Sequence, residues 1–295
     1  MAMICETTFD TGEVQLNVAE GPAQGVPLVL LHGGSARWQS WEPLLPGLLP
    51  HSQVFAVDLR GHGGSGRRPP YTLQAYAADI VILLGRRVGR PAVLCGHSLG
   101  GMVALLAAAR LPDAVRGVIV GDSPLSGGAW LRTLRDTRER LEEWWRLAGS
   151  GAAADIAAAL RTTPVEVPGQ DAPLPARAVF GEDAPWFDWM AGNLARLDPA
   201  TLMILVDDAE RAAEGYSIED VFPATRCPVW LVQADPAAGA LMQLDEVRRA
   251  QQANPLVCHR RLDGVSHALH HTHPELVRDV LLECVRDIEQ RGYAR

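Results

Sequence analysis

The chain has 295 residues, 47% apolar and 21% charged, a globular balance that excludes disordered, collagen-like and low-complexity classes. The net charge is −8, and the 27 basic residues, all arginine, are scattered, which excludes a basic nucleic-acid-binding face. Apolar runs reach only about six to eight residues, too short for a membrane span. Residues 1–20 lack a basic segment followed by an apolar one, so the chain reads as cytoplasmic, without a cleaved signal. Cys5, Cys95, Cys227, Cys258 and Cys284 lie far apart with no C-x-x-C pair, as expected of structural thiols in a reducing compartment.

Residues 4–9 and 13–20 flank Asp10-Thr11-Gly12 and predict an antiparallel hairpin. Continuous apolar runs with β-branched residues follow at 27–32, 53–58, 92–96 and 117–121, the pattern of parallel strands buried on both faces. Helical segments lie between them. The one at 38–49 is weak and interrupted by Pro46. The next, at 73–88, has Thr72 as its N-cap and stops near Gly89 and Pro91. The third, at 99–110, is rich in Ala and Leu and ends before Pro112. From Leu125 to Pro223 the pattern turns helical, carries Trp130, Trp144, Trp145, Trp186 and Trp189, and breaks in a Pro/Gly-rich stretch at 164–175. Alternation resumes with a strand at 228–233, a helix near 244–254, a strand at 256–262 and a final helix at 274–291. The expected class is α/β: a mostly parallel sheet flanked by helices, formed by residues 1–124 and 224–295, with a helical cap inserted at 125–223.

The strongest motif is Gly96-His97-Ser98-Leu99-Gly100, of the form G-x-S-x-G. It follows a predicted strand and opens a predicted helix, the context of a nucleophile elbow. A sharp strand-to-helix turn holds the Ser98 hydroxyl clear of the backbone, and side chains at Gly96 or Gly100 would collide with that turn. The helix N-terminus beside it favours a developing anion.

With Leu31-His32-Gly33-Gly34, Asp58-Leu59-Arg60-Gly61-His62-Gly63, Gly96 to Gly101 and Gly264-Val265-Ser266-His267, the chain resembles the α/β-hydrolase family over nearly its whole length. The resemblance implies an oxyanion hole from Gly33 or Gly34 and from the N–H of Leu99. It implies His267 as general base, able to take the Ser98 proton. Asp58 and Arg60 are expected to tie their loop together, and His62 to border the pocket. His270, His271 and His273 crowd near His267, but no carboxylate or Cys at ligand spacing accompanies them, so no metal and no cofactor are expected. Two aspartates compete to orient His267. Asp122 directly follows the sixth predicted strand, and Asp235 follows the seventh. Most family members place the acid after the seventh strand as G-x-x-D; here Asp235 comes two residues early, whereas Asp122 fits the minority with the acid after the sixth. Asp122 is favoured, with Asp235 as the alternative.

A serine nucleophile with a histidine base implies acyl transfer through an acyl-enzyme. The expected function is hydrolysis of a carboxylic ester or lactone, on a small apolar substrate, by a monomer or homodimer. His97, Trp130, Trp186 and Trp189 are the candidate pocket residues. The alternatives are a C–C bond hydrolase, a thioesterase or a cofactor-free perhydrolase of the same fold, or a ligand receptor on a hydrolase scaffold. An aspartate nucleophile, as in epoxide hydrolases and haloalkane dehalogenases, is absent. No strand is followed by G-x-G-x-x-G, which disfavours a dinucleotide enzyme.

Overall fold

The structure is a computed structural model that describes residues 4–165 and 172–292. The apolar runs pair into one eight-stranded sheet. The hairpin strands are β1 (Cys5–Asp10) and β2 (Gln15–Glu20), followed by β3 (Val26–Leu31), β4 (Ser52–Val57), β5 (Ala92–His97) and β6 (Val115–Gly121). A two-residue ribbon, β7 (Pro164–Val165) with β8 (Leu174–Pro175), stands apart; the rest of that Pro/Gly-rich break, 166–171, lies outside the described residues. The sheet is completed by β9 (Val229–Gln233) and β10 (Val257–Arg261), in the order β1-β2-β4-β3-β5-β6-β9-β10. β1–β2 and β2–β4 are antiparallel, and every other pair is parallel.

Alternation along the central strands sets the two cores. Val29 and Leu31 of β3, Leu94 of β5, and Val118 and Val120 of β6 face helices Leu73–Leu83 and Leu99–Arg110. Leu28, Leu30, Val93, Cys95 and Ile119 point the other way, onto Trp38, Trp41 and the final helix Pro274–Gly292. All six residues of β3 and of β5 are buried, which is why these strands read as unbroken apolar runs. Thr72 caps its helix by accepting from Ala75 N at 3.2 Å. That helix is regular only to Leu83, then widens into a π turn, Leu84–Val88, closed by Gly89 at φ 68°. The weak segment at 38–49 becomes a 3-10 stretch, Trp38–Leu44, and a single α turn, Leu45–Leu48, with Pro46 as its second residue.

The described residues between 127 and 224 supply eight helices, of which the last, Ile218–Ala224, packs on helices Leu99–Arg110 and Leu244–Ala253 at the sheet. Asp198 ties the insertion to the core, accepting from Tyr71 Oη at 2.5 Å while its own N–H reaches Gly61 O at 2.8 Å. No helix among the described residues is long and apolar enough to cross a membrane.

The loop after β4 is held from two sides. Asp58 accepts from the N–H groups of Trp38 (2.7 Å) and Gly64 (2.8 Å) and from Asn17 Nδ2 (3.0 Å). Arg60 pairs with Asp79 rather than Asp58, through two 2.6 Å bonds, Nε to Oδ2 and Nη2 to Oδ1, with both side chains buried. Truncating one partner strands the other charge in the core. Asp79→Ala is therefore expected to destabilise the chain by about 3–5 kcal/mol in urea unfolding; a loss below about 1 kcal/mol, the range of a surface pair, contradicts a buried pair here.

Candidate active site

Strand β5 ends at His97 and the next helix begins at Leu99, which leaves Ser98 alone to turn the chain. It does so at φ 51° and ψ −117°, a backbone state that L-residues avoid. The flanking glycines make the corner fit. A Cβ on Gly96 would lie 2.1 Å from Gly100 O, and one on Gly100 would lie 2.1 Å from Leu31 O. The first N–H groups of the helix, Leu99 among them, have no intrahelical acceptor and carry the positive end of its dipole.

Facing this corner, the chain leaves β3 through Gly33 and Gly34. Leu59 N donates to His32 Nε2 at 3.0 Å, so the proton of this ring sits on Nδ1, which donates to Gly33 O at 2.7 Å. Burial pushes His32 down to about 4, partly opposed by the bond to Gly33, and the ring stays neutral. With its carbonyl held, the planar Gly33–Gly34 peptide turns its N–H away from His32, and both glycines border the cavity that contains Ser98.

Asp122 follows the end of β6 at φ 39° and has no exposed surface. Its Oδ2 lies 2.7 Å from His267 Nδ1 and accepts from Leu241 N at 2.9 Å; Oδ1 accepts from Ala234 N and Met242 N, each at 3.2 Å. Burial raises the carboxyl, but the His267 bond and charge and the backbone N–H groups outweigh it, and the net effect lies below the ordinary 3.8. A carboxylate only accepts, so Nδ1 carries the proton and Nε2 of His267 is left as a base. Ser98 and His267 line the same cavity, although Ser98 Oγ and the ring are not hydrogen-bonded in this conformation; such contacts commonly tighten only around substrate.

His97 holds the same loop by its backbone. Its Nε2 is 2.8 Å from His267 O, so this nitrogen carries the proton, and the two rings lie 4.7 Å apart. Burial, with the charge of His267, pushes His97 down to about 3. The motif marks His97 only as a neighbour of the nucleophile, and nothing in the sequence signals that it reaches 170 positions along the chain. The Leu241 and Met242 donors are backbone groups and carry no residue signal at all.

Asp235 is placed elsewhere. It accepts from Arg261 Nη2 (2.9 Å), Ala237 N (3.0 Å) and Gly264 N (2.8 Å), clasping the β10–His267 connection without touching the imidazole. His62, Trp130, Trp186 and Trp189 border the cavity, as does Trp144, whereas Trp145 is 38% exposed and does not. The cavity is large, about 1640 Å³, and mostly apolar. His270 is buried and stacks on Trp41 at 4.9 Å, and His271 meets Trp189 at 4.3 Å. His273 sits apart, 3.0 Å from Thr272 Oγ1. A hydroxyl at a strained corner, an imidazole whose Nε2 is free and backbone N–H groups at a helix N-terminus can together support acyl transfer.

The chain matches the model of the alpha/beta hydrolase family over residues 28–280. It is 38% identical over 114 residues to a 2-(acetamidomethylene)succinate hydrolase of Mesorhizobium japonicum, a stretch covering 38% of this chain and less than half, 41%, of that protein. It is 34% identical over 217 residues to a pimeloyl-(acyl-carrier protein) methyl ester esterase of Xanthomonas axonopodis pv. citri, covering 63% of this chain and 81% of that one. The crystal structure of an E-2-(acetamidomethylene)succinate hydrolase superposes with a TM-score of 0.72 over 96% of this chain and 100% of that chain, at 20% identity, a likeness of fold.

The lowered Asp122 value fixes a sign. A carboxyl whose folded value lies below its unfolded one contributes stability that is complete above the unfolded value and is lost as pH falls through the folded one. The gap in urea midpoint between the parent chain and Asp122→Asn is expected to be open at pH 5 and to close on acidification below about pH 4. A gap that holds or widens on acidification contradicts an ionised, His267-paired Asp122.

Proposed function

Because the chain belongs to the alpha/beta hydrolase family, we propose that it is a serine hydrolase that cleaves a carboxylic ester or lactone through an acyl-enzyme on Ser98. One observation carries this reading: the 2.7 Å bond from His267 Nδ1 to the buried Asp122 carboxylate, which leaves Nε2 basic in the cavity of Ser98. In this mechanism Ser98 Oγ attacks the carbonyl carbon as its proton passes to Nε2. The oxyanion takes the N–H groups of Leu99 and of Gly34 or Gly33, donors each worth roughly 10²–10³ in rate when water is excluded. Asp122 stabilises the imidazolium without itself taking the proton. Collapse expels the alkoxide, which leaves with the proton from Nε2. Water then enters, loses its proton to the same nitrogen, and releases the acid and Ser98. His97 keeps the ring in place through the His267 carbonyl.

Residues 125–223, up to the helix that returns to the sheet, act in this reading as the lid over the C-terminal ends of the strands, where ligands of open α/β sheets bind. The apolar lining from Trp130, Leu134, Trp186 and Met190 suits an apolar acyl or alcohol group.

A fluorophosphonate probe is expected to add once per chain, at Ser98, and Ser98→Ala to lose hydrolysis of a chromogenic ester. Asp122→Asn, which favours the wrong histidine tautomer, is expected to lower kcat by roughly 10³–10⁴. Asp235→Asn, remote from the ring, is expected to cost less than about tenfold. Labelling of another residue, full activity in Ser98→Ala, or the reverse order of the two aspartates in folded variants overturns the assignment.

A further inference from the structure

Ring contacts along one wall of the cavity form a continuous series that starts at the proposed base. His267 lies 4.7 Å from His97, His97 4.7 Å from His270, His270 4.6 Å from His271, and His271 4.3 Å from Trp189. Trp186 and Trp189, three residues apart on helix Pro185–Leu194, share one face of it. Trp186 then meets Phe180, the last residue of helix Ala176–Phe180, at 5.9 Å. Each of these rings borders the cavity that contains Ser98.

The rings differ in how much surface they offer. His97 and His270 are buried and back the wall, Trp189 is half-buried, and His271 is exposed. The series ends in the open, with Trp186 38% and Phe180 56% exposed. Exposed apolar residues are ordinary when scattered, but here two large rings touch at the outer end of a wall whose inner end holds His267. Burial pushes His97 down to about 3 and His270 and His271 below their ordinary values, so these rings present neutral faces. Among the described residues, the Glu and Arg side chains that border the cavity, Glu139, Arg140, Glu143 and Arg146, stand on helix Arg138–Leu147 instead. Arg37 meets the tryptophan helix at Asn193 but does not border the cavity. A wall several rings long fits an apolar chain; a compact aryl group would cover only the inner rings and leave Trp186 and Phe180 in water.

Building on the hydrolase reading above, we propose that this wall is the subsite of an elongated apolar chain, an alkyl or alkenyl substituent on the acyl or the alcohol half of the substrate. The chain runs from the scissile bond past His271 and Trp189 and leaves the cavity over Trp186 and Phe180. Length along the wall, not filling of the whole volume, is what the site reads.

The test measures kcat/KM for two homologous series, p-nitrophenyl esters from acetate to dodecanoate and acetate esters from ethyl to dodecyl, each below the concentration at which the ester aggregates. In one of the two series kcat/KM is expected to climb by roughly threefold to fourfold per methylene while the chain gains contact with the wall, and then to level. Each value is divided by that of the shortest ester, so a loss common to all lengths cancels. The climb is expected to stop earliest in Trp189→Ala, later in Trp186→Ala, and latest in Phe180→Ala, where it still ends short of the parent chain. Trp186 and Phe180 are exposed, so their two variants keep the order testable if Trp189→Ala fails to fold. A flat profile in both series, or variants that level at the parent's chain length or out of the order of the rings, overturns the wall while the hydrolase reading stands. Failure of the folded parent chain to cleave any ester of either series strikes the hydrolase reading itself.

Discussion

A carboxylate without exposed surface stays ionised only if its lone pairs are engaged, and the arrangement around Asp122 answers that requirement. Its four donors come from two connections, which meet the one after β6 that carries Asp122: Ala234 just after β9, Leu241 and Met242 further along the same loop, and His267 after β10. Satisfying one buried charge therefore fixes where three loops meet. The positive φ of Asp122, with its N–H on Val232 O at 2.8 Å, aims the carboxylate at that meeting point instead of along the strand. Strain of this kind costs roughly 1–3 kcal/mol and persists only where surrounding bonds over-determine it.

The opposite wall uses neutral histidines for the same purpose. His32 accepts from the loop after β4 and donates to its own, at Gly33 O, and His97 donates to the backbone that carries His267. Both act as spacers with a fixed donor edge, and burial keeps both uncharged. A protonated ring at either place would set a cation beside the proton that the proposed mechanism moves. Among the described residues, three non-glycine residues with positive φ, Ser35, Ser98 and Asp122, follow the ends of β3, β5 and β6, the same edge of the sheet. Conformational strain is thus concentrated where the groups of the proposed reaction converge.

Much of this was legible in the residues. Strands buried on both faces show as unbroken apolar runs, so β3 to β6 were placed within a residue or two, and the G-x-S-x-G corner follows from steric exclusion at Gly96 and Gly100. The choice between Asp122 and Asp235 was not closed by the sequence. Both follow strands in parallel register, and what separates them in the structure is a backbone angle and a set of main-chain donors, neither of which leaves a residue signature. The helix Ile218–Ala224 reads like the rest of the insertion because its apolar face has the same period whichever partner it packs against. The 38–49 segment took a 3-10 form because Pro43 lies inside it and Pro46 falls at the second position of the turn that follows.

The cavity that holds Ser98 and His267 is lined mostly by apolar groups. Its apolar lining rewards buried area, and in such a pocket one methylene changes discrimination by only about 1–3 kcal/mol, so lining alone tolerates a range of chain lengths. A volume of about 1640 Å³ exceeds what a small ester fills, so area is a poor discriminator here. Under the proposed chemistry, water must also reach the acyl-enzyme, which a tightly filled apolar pocket would hinder. A roomy cavity beside Ser98 leaves space for that second nucleophile. Orientation then rests on the loops that Asp122, His32 and His97 hold, and the insertion sets the space around them.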